Sequence, residues 1–207
     1  MSVGRQREHV RFEPSDWWRR LCWVTPQIAL CGDLPNGTNA KRRELEMWVD
    51  AGITHIVDTR LEHSDERFVA AHEPDVGYTW VGVDDDGGRQ PDAWFDQGVD
   101  GALAAIADPA GKVVIHCHMG VNRGPSMGFA TLLATGMDAV EALRVIRVQR
   151  PIAAMLYADD AIGWWHRRAG SPAATAKHDR HRVREWMRSN PIDTNWITSR
   201  IWHSQSA

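Results

Sequence analysis

Cysteine is scarce in this chain. Three occur in 207 residues, Cys22, Cys31 and Cys117, with no paired spacing, which argues against a disulfide framework. Long hydrophobic runs are missing too. The stretches "ALAAIA" and "TLLA" are far too short to span a bilayer, and the charged opening "MSVGRQREHVRFEPSDWWRR" has no apolar core of a signal peptide. There is no excess of positive charge: 24 Lys and Arg stand against 27 Asp and Glu, a net charge of -3, so nothing pulls the whole molecule toward nucleic acid or an anionic membrane. Lysine itself is nearly absent, since all but Lys41, Lys112 and Lys177 of the basic residues are arginine. No internal repeat and no low-complexity tract occurs. What remains is a chain of ordinary hydrophobic content, 43%, long enough for one well-cored domain with appendages. The expected setting is cytoplasmic, which suits a free thiol. The 11 tryptophans read as core and surface anchors.

Residues 1–21 read as a polar, Arg-rich arm, residues 22–170 as the domain, and residues 171–207 as a linker ("SPAATAK") followed by a helical tail. Within the domain "WVTPQIALCGD" reads as a short strand entered through Pro26, and "NAKRRELEMWVDAG" as a helix closed by Gly52. "ITHIVDT" is a buried strand, with a polar helix near Asp65–His72 after it. "YTWVGV" is a strand that runs into the turn-rich acidic loop "DDDGGRQPD". A helix with Phe95, Val99, Ala102 and Ile106 on one face follows, then the strand "KVVIH". "GPSMGFATLLATG" is a helix with Pro125 in its first turn, "DAVEALRVIRVQR" one that opens on Asp138 and Glu141 as an acidic capping box, and "ADDAIGWWHRR" a third. The alternation predicts an α/β fold, a mostly parallel central sheet flanked by helices.

The stretch "VVIHCHMGVNRGPS" carries the chemistry. A cysteine set at the end of a strand, against converging N–H groups and a helix N-terminus, is deprotonated more readily than a free thiol. The same N–H groups make a nest for a tetrahedral dianion, and Gly120 lets the loop turn tightly. Arg123, planar and always charged, can grip two phosphate oxygens side by side. Residues His118, Met119, Gly120, Val121 and Asn122 span the distance needed to wrap one phosphate. The implied reaction is attack of the Cys117 thiolate on phosphorus, a thiophosphate intermediate and its hydrolysis. The leaving group needs a proton, and Asp84, Asp85 or Asp86, on the loop after a neighbouring strand, can supply it. His116 reads as an organiser of the loop. The run "HCH" does not read as a metal site, because adjacent residues cannot all reach one ion and no second cluster lies at ligand spacing.

The run "HCHMGVNR" resembles the His-Cys-x5-Arg signature of the cysteine-dependent phosphatases, and its context is similar to the dual-specificity branch. The Pro-led "VTPQIALCGDL", the strand "GITHIVD" and the Arg-Pro of "QRPIA" carry the likeness, over about residues 23–168. The resemblance implies a phosphotyrosine-phosphatase-like fold and hydrolysis of phospho-Tyr, phospho-Ser or phospho-Thr, on a protein or a small phosphomonoester, with no cofactor or metal. In that branch the general acid lies about thirty residues before the cysteine and ten before an aromatic helix residue. Asp85 lies 32 before Cys117 and ten before Phe95, so it is the choice, with Asp84 and Asp86 as alternatives.

One departure stands out. The dual-specificity pattern has Ser or Thr directly after the arginine, where this chain has Gly124. The resemblance implies that the missing hydroxyl would hydrogen-bond the cysteine sulfur as it leaves the thiophosphate, and a slow second step is expected here. Arg-Gly-Pro instead resembles the rhodanese-like cell-cycle phosphatases, and Gly-x-Asn-Arg the RNA 5′-triphosphatases of the same superfamily. The upstream strands favour the dual-specificity fold, and the acids before the loop argue against RNA. Without Lys or Arg among the five loop residues, a polyanionic inositide is less suited. A phosphate-binding module with weak catalysis is the alternative of a different class.

Overall fold

A computed structural model describes residues 17–205; of the expected arm, residues 1–16 lie outside the described residues. Among those described, a 3₁₀ turn (Trp17–Arg19) leads into β1 (Cys22–Trp23), β2 (Ile28–Cys31), α1 (Thr38–Asp50), β3 (His55–Arg60), α2 (Glu66–His72), β4 (Gly77–Val83), α3 (Asp92–Ile106) and β5 (Val113–His116). The chain then stays helical: α4 (Arg123–Ala134), α5 (Ala139–Gln149), α6 (Ala158–Arg168), α7 (Ala173–Ser189) and α8 (Thr194–Gln205). The strands form one sheet in the order β1-β2-β5-β3-β4. Its β2, β5, β3 and β4 are mutually parallel, and β1 is antiparallel to β2. This is the α/β architecture that the alternation of strands and helices implies.

The central strand is β5, buried at every position because its β-branched residues are covered on both faces. Side chains alternate along a strand, so Val113 and Ile115 join the cluster under α3 to α6, while Val114 joins Leu45 and Trp48 of α1 and Val69 of α2. With Cys31 opposite His116 and Asp58 opposite His116 on the other side, three parallel strands end together. Their carboxyl ends make a crevice, the usual place for a ligand in such a sheet.

Three expectations are corrected. "WVTPQIALCGD" is two short antiparallel strands, because Thr25 Oγ1 accepts from the N–H groups of both Gln27 (3.2 Å) and Ile28 (3.0 Å) and closes a turn at Pro26. "SPAATAK" is no linker: α7 begins at Ala173, directly after Pro172, a residue suited to a helix start, and alanine favours continuation. The chain after residue 171 is packed rather than separate, since Val183 of α7 is in the main core and Ile197 and Ile201 of α8 are buried with Trp18 and Val121. The part of the arm that is described is anchored as well. Trp18 is completely buried against Gly32, where any Cβ would overlap its ring.

Beneath the crevice lies a buried ion cluster. Arg60 donates from Nε to Asp58 Oδ1 (2.8 Å) and from Nη2 to Asp58 Oδ2 and Asp65 Oδ2 (both 2.7 Å), and the Tyr78 hydroxyl donates to Asp58 Oδ2 (2.6 Å). Burial works to raise the Asp58 pKa, but the field of His116 in its acid form, the Arg60 fork and Tyr78 outweigh it and hold the carboxyl at about 2. An unfolded aspartate titrates near 3.8. The stability contributed by Asp58 is therefore complete above about pH 4 and is lost as the pH falls through about 2. Urea unfolding at a series of pH values checks this. Asp58→Asn is expected to be less stable at pH 7, on the order of 3 kcal/mol as for a broken buried pair, yet to lose less between pH 4 and pH 2 than the wild type. Parallel curves for the two proteins would remove Asp58 from the acid transition.

Candidate active site

Cys117 follows β5 directly, and after five intervening residues α4 begins at Arg123. Four successive carbonyls of the intervening loop are turned to the scaffold. His118 O accepts from Asp33 N (2.9 Å) and Val121 O from Ala154 N (2.7 Å), while Met119 O and Gly120 O accept from Arg150 Nη2 (3.1 Å) and Nε (2.6 Å). A peptide that points its carbonyl outward points its N–H the other way, so the loop's donors are left for the pocket. Gly120 has φ +64°, and a Cβ there would overlap the Arg150 guanidinium and the Cys31 carbonyl. Arg150 is itself buried and also donates to Trp18 O (2.7 Å).

The flanks of the loop are fixed in the same way. Thr59 Oγ1 donates to His116 O (2.8 Å), and the His116 ring meets Trp48 edge-on at 5.6 Å. Burial lowers the His116 pKa, so the imidazole is neutral at pH 7. His118 Nδ1 lies 2.6 Å from Asp33 Oδ2. A Cβ on Gly124 would stand 3.0 Å from both Cys117 N and His116 C. Glycine there lets α4 seat tightly against the end of β5, and a serine requires that contact to give by a few tenths of an ångström. Ser126 does not replace the absent hydroxyl. Its Oγ donates to Asn122 Oδ1 (3.3 Å) and accepts from Tyr157 N (3.3 Å), which ties α4 to the start of α6.

Cys117 is 2% exposed, at the floor of a cavity of about 310 Å³ lined by Glu62, Asp85, the loop, Leu156, Thr194 and Thr198. Arg123 is held by Glu62, which takes Nη1 (2.9 Å) and Nη2 (2.7 Å), and by Val83 O on Nη1 (2.9 Å). Those bonds use the end of the guanidinium. Nε, buried and without a hydrogen-bond partner, and the second N–H of Nη2 remain, and together they form a side-on fork for two oxygens of one anion. The hydrogen bond from Arg123 lowers the Glu62 pKa to about 2, so the pair persists across the working range of an enzyme.

The structure separates the three acids. Asp85 Oδ1 accepts from Asn122 Nδ2 (2.6 Å) and from the Tyr157 hydroxyl (2.9 Å). Its Oδ2 lies 3.5 Å from Arg123 Nε. Burial, with Asp85 adding to it, pushes the Tyr157 hydroxyl up to about 12, so it remains a donor at pH 7. With Oδ1 committed as an acceptor, Oδ2 is the oxygen that can carry a proton into the pocket. Asp84 and Asp86 instead accept from backbone N–H groups within their own loop, of Asp85 (2.8 Å) and Gly88 (2.7 Å). Among the described residues no group of three His, Cys, Asp or Glu is placed to hold a metal ion.

The structure thus gathers Cys117, His118, Met119, Val121, Asn122, Arg123 and Asp85 around one cavity, with Gly120, His116 and Gly124 in supporting positions. Sequence reasoning missed Glu62, Asp33, Arg150 and Tyr157. The available signal for the first two was an acid just past the carboxyl end of a strand that neighbours β5. Arg150 was visible only as the Arg of "QRPIA", without a role.

Residues 37–156 match the family model "Dual specificity phosphatase, catalytic domain". The human dual specificity protein phosphatase 26 is 30% identical over 132 residues, which cover 62% of this chain and 59% of that protein. The protein tyrosine phosphatase domain-containing protein 1 of Mus musculus is 27% identical over 151 residues, 62% of this chain and 19% of that protein. The chain therefore matches less than two thirds of either relative. Among solved structures, human DUSP28 superposes with a TM-score of 0.57 at 19% identity, covering 72% of this chain and 95% of that one. PTPMT1 in complex with PI(5)P gives 0.57 at 17%, covering 71% and 95%. At such identities the likeness is one of fold.

An asparagine at position 85 keeps the acceptor on Oδ1 and the shape of the side chain but cannot release a proton. Asp85→Asn is expected to lower kcat by roughly 10²-fold or more, most for alkyl phosphates, while Asp84→Asn and Asp86→Asn stay near wild type. Steady-state assays across leaving groups check this. An equal loss for all leaving groups, or a larger effect at Asp84 or Asp86, moves the proton donor elsewhere.

Proposed function

The chain belongs to the dual-specificity phosphatase catalytic-domain family, and on that premise we propose that it hydrolyses phosphate monoesters through a thiophosphate on Cys117. The observation that carries this reading is the pair formed by the outward-turned loop carbonyls and Arg123 Nε, which makes no hydrogen bond and meets Asp85 Oδ2 at 3.5 Å, in the cavity that also holds Cys117. A phosphate dianion seated on the loop N–H groups takes two oxygens to the Arg123 fork and places phosphorus over the sulfur. Sγ attacks, the P–O bond to the leaving group breaks, and Asp85 gives its proton to the departing oxygen. Water then attacks the phosphorus, Asp85 takes a proton from it, the S–P bond breaks and inorganic phosphate leaves. No cofactor takes part. Asp85, Asn122 and Tyr157 form the proton-delivery group, and Glu62 positions Arg123.

The charge around the site supports a singly phosphorylated ester. Glu62, held ionised by Arg123, lies in the lining, so a polyphosphate would bring its further charges against a carboxylate and meet no second permanent cation among the described lining residues. This weighs against an RNA 5′-triphosphate or a polyanionic inositide. The reading as a mere phosphate-binding module is disfavoured by the completeness of the nucleophile, cation and proton donor in one cavity.

Release of phosphate from a small aryl phosphate tests the proposal. Cys117→Ser is expected to abolish turnover while still binding orthovanadate or phosphate at the loop. Retention of more than a few per cent of activity rules out Cys117 as the nucleophile. The second step is expected to be slow, because position 124 offers no hydroxyl to the departing sulfur. A hydrogen bond to a charged group contributes about 1.5–3 kcal/mol, or roughly 10–150-fold in rate. Stopped-flow mixing of the wild type with an activated aryl phosphate is expected to give a burst near one equivalent and then slow turnover. With no burst, the glycine is kinetically neutral and serves only the tight seating of α4.

A further inference from the structure

The family-model match ends at Leu156, yet the pocket does not. Thr194 and Thr198 of α8 line it together with Cys117 and Arg123. Residues four apart stack along one face of a helix, and Thr194, Thr198 and Trp202 make such a stripe. Trp202 ends it over the loop, its ring 6.4 Å from that of His118. The adjacent stripe, Ile197 and Ile201, is buried with Trp18, Val121 and Ala154. The helix is therefore seated on the phosphate loop itself. Thr198 Oγ1 spends its proton on Thr194 O (2.7 Å), so it has no hydroxyl proton left to offer a phosphate oxygen. Leu156, Met119 and Val121 also line the cavity. Among the described lining residues Arg123 is the one permanent cation, and Glu62 and Asp85 are carboxylates.

From these observations we infer that α8 is the wall that receives the group esterified to phosphate, and that Thr194, Thr198 and Trp202 select an aryl monoester, a phosphotyrosine side chain, over alkyl phosphates. The inference rests on the reading of the site as a phosphatase. One anion is satisfied by the loop and Arg123, and the surface of the cavity is more apolar than polar. A phenyl ring fills that space with carbon. A seryl or threonyl phosphate would draw polar backbone into it, at a cost in unmade hydrogen bonds.

The test uses the full chain and two peptides of one sequence, phosphorylated on Tyr or on Ser. The wild type is expected to favour the phosphotyrosyl peptide by about tenfold or more in kcat/KM, the scale of apolar discrimination in a pocket. Thr198→Gln, which sets an amide in the wall, is expected to raise KM for that peptide about tenfold. Its kcat and its inhibition by orthovanadate, which occupies the loop and reaches no wall, are expected to stay within about twofold. Trp202→Ala, at an exposed ring, is expected to raise the same KM in the same manner, and carries the test if Thr198→Gln lowers the melting temperature. Equal use of both peptides, an unchanged KM in the variants, or a matching loss of orthovanadate inhibition each overturns the role of α8 in an active phosphatase. A wild type that releases no phosphate from either peptide or from an aryl phosphate instead overturns the phosphatase reading, and the inference with it.

Discussion

Four consecutive carbonyls that must find donors outside the pocket are the constraint on which the rest of this structure depends. A loop that presents its N–H groups to an anion has to turn its carbonyls to the protein, and buried carbonyls without partners are costly. Here Asp33, Arg150 and Ala154 supply the partners. Each belongs to a different part of the chain, so the loop is formed only when β2, the end of α5 and the segment before α6 are all in place. Arg150 extends the dependence further, because its bonds to Trp18 O and Arg20 O tie in the segment before β1. Val121, with its carbonyl on Ala154 N, is packed under Ile197 and Ile201. The C-terminal helices are thus fastened to the same few residues that shape the phosphate site.

A second division of labour lies within Arg123. Glu62 and Val83 O hold the terminal nitrogens, which fixes the plane of the guanidinium and leaves the Nε edge for a ligand. Desolvation opposes a buried cation, but Glu62, Cys117 and Asp85 more than offset it and raise the Arg123 pKa. The cost is that Arg123, the one permanent cation among the described lining residues, is already paired with Glu62 before a ligand arrives. On the proposed function such a site would take one dianion and have little to offer a second. Its preference among monoesters must then come from the walls beyond the phosphate.

The strands, their parallel arrangement and the placement of the cysteine were legible because they depend on local pattern. "KVVIH" has the β-branched content of a buried strand, Gly52 and Gly136 both take positive φ just past helix ends, and Asp138 caps α5 by accepting from Val140 and Glu141 N–H groups. What was not legible depended on contacts across long separations. Glu62 and Arg123 are 61 residues apart, and neither flank of Glu62 announces a role. "SPAATAK" is compositionally a linker, and only the packing of Val183 and Ile201 makes the segment beyond it part of the body. The resemblance points to Asp85 over its neighbours by its spacing from Cys117 and Phe95, and the bonds from Asn122 and Tyr157, which no local pattern encodes, support that choice. Gly124 read as a lost hydroxyl, whereas in the fold it is also a point of close contact between α4 and β5.

The central claim is that phosphate passes through a covalent bond to one sulfur. Turnover of a ³²P-labelled aryl phosphate, quenched in acid within the first catalytic cycle and followed by peptide mapping, examines it directly. The account predicts acid-trapped label on the peptide containing Cys117, in the wild type and more so in Asp85→Asn with a leaving group that needs no proton. Phosphate release with no labelled protein at any time, or with label on another residue, contradicts it.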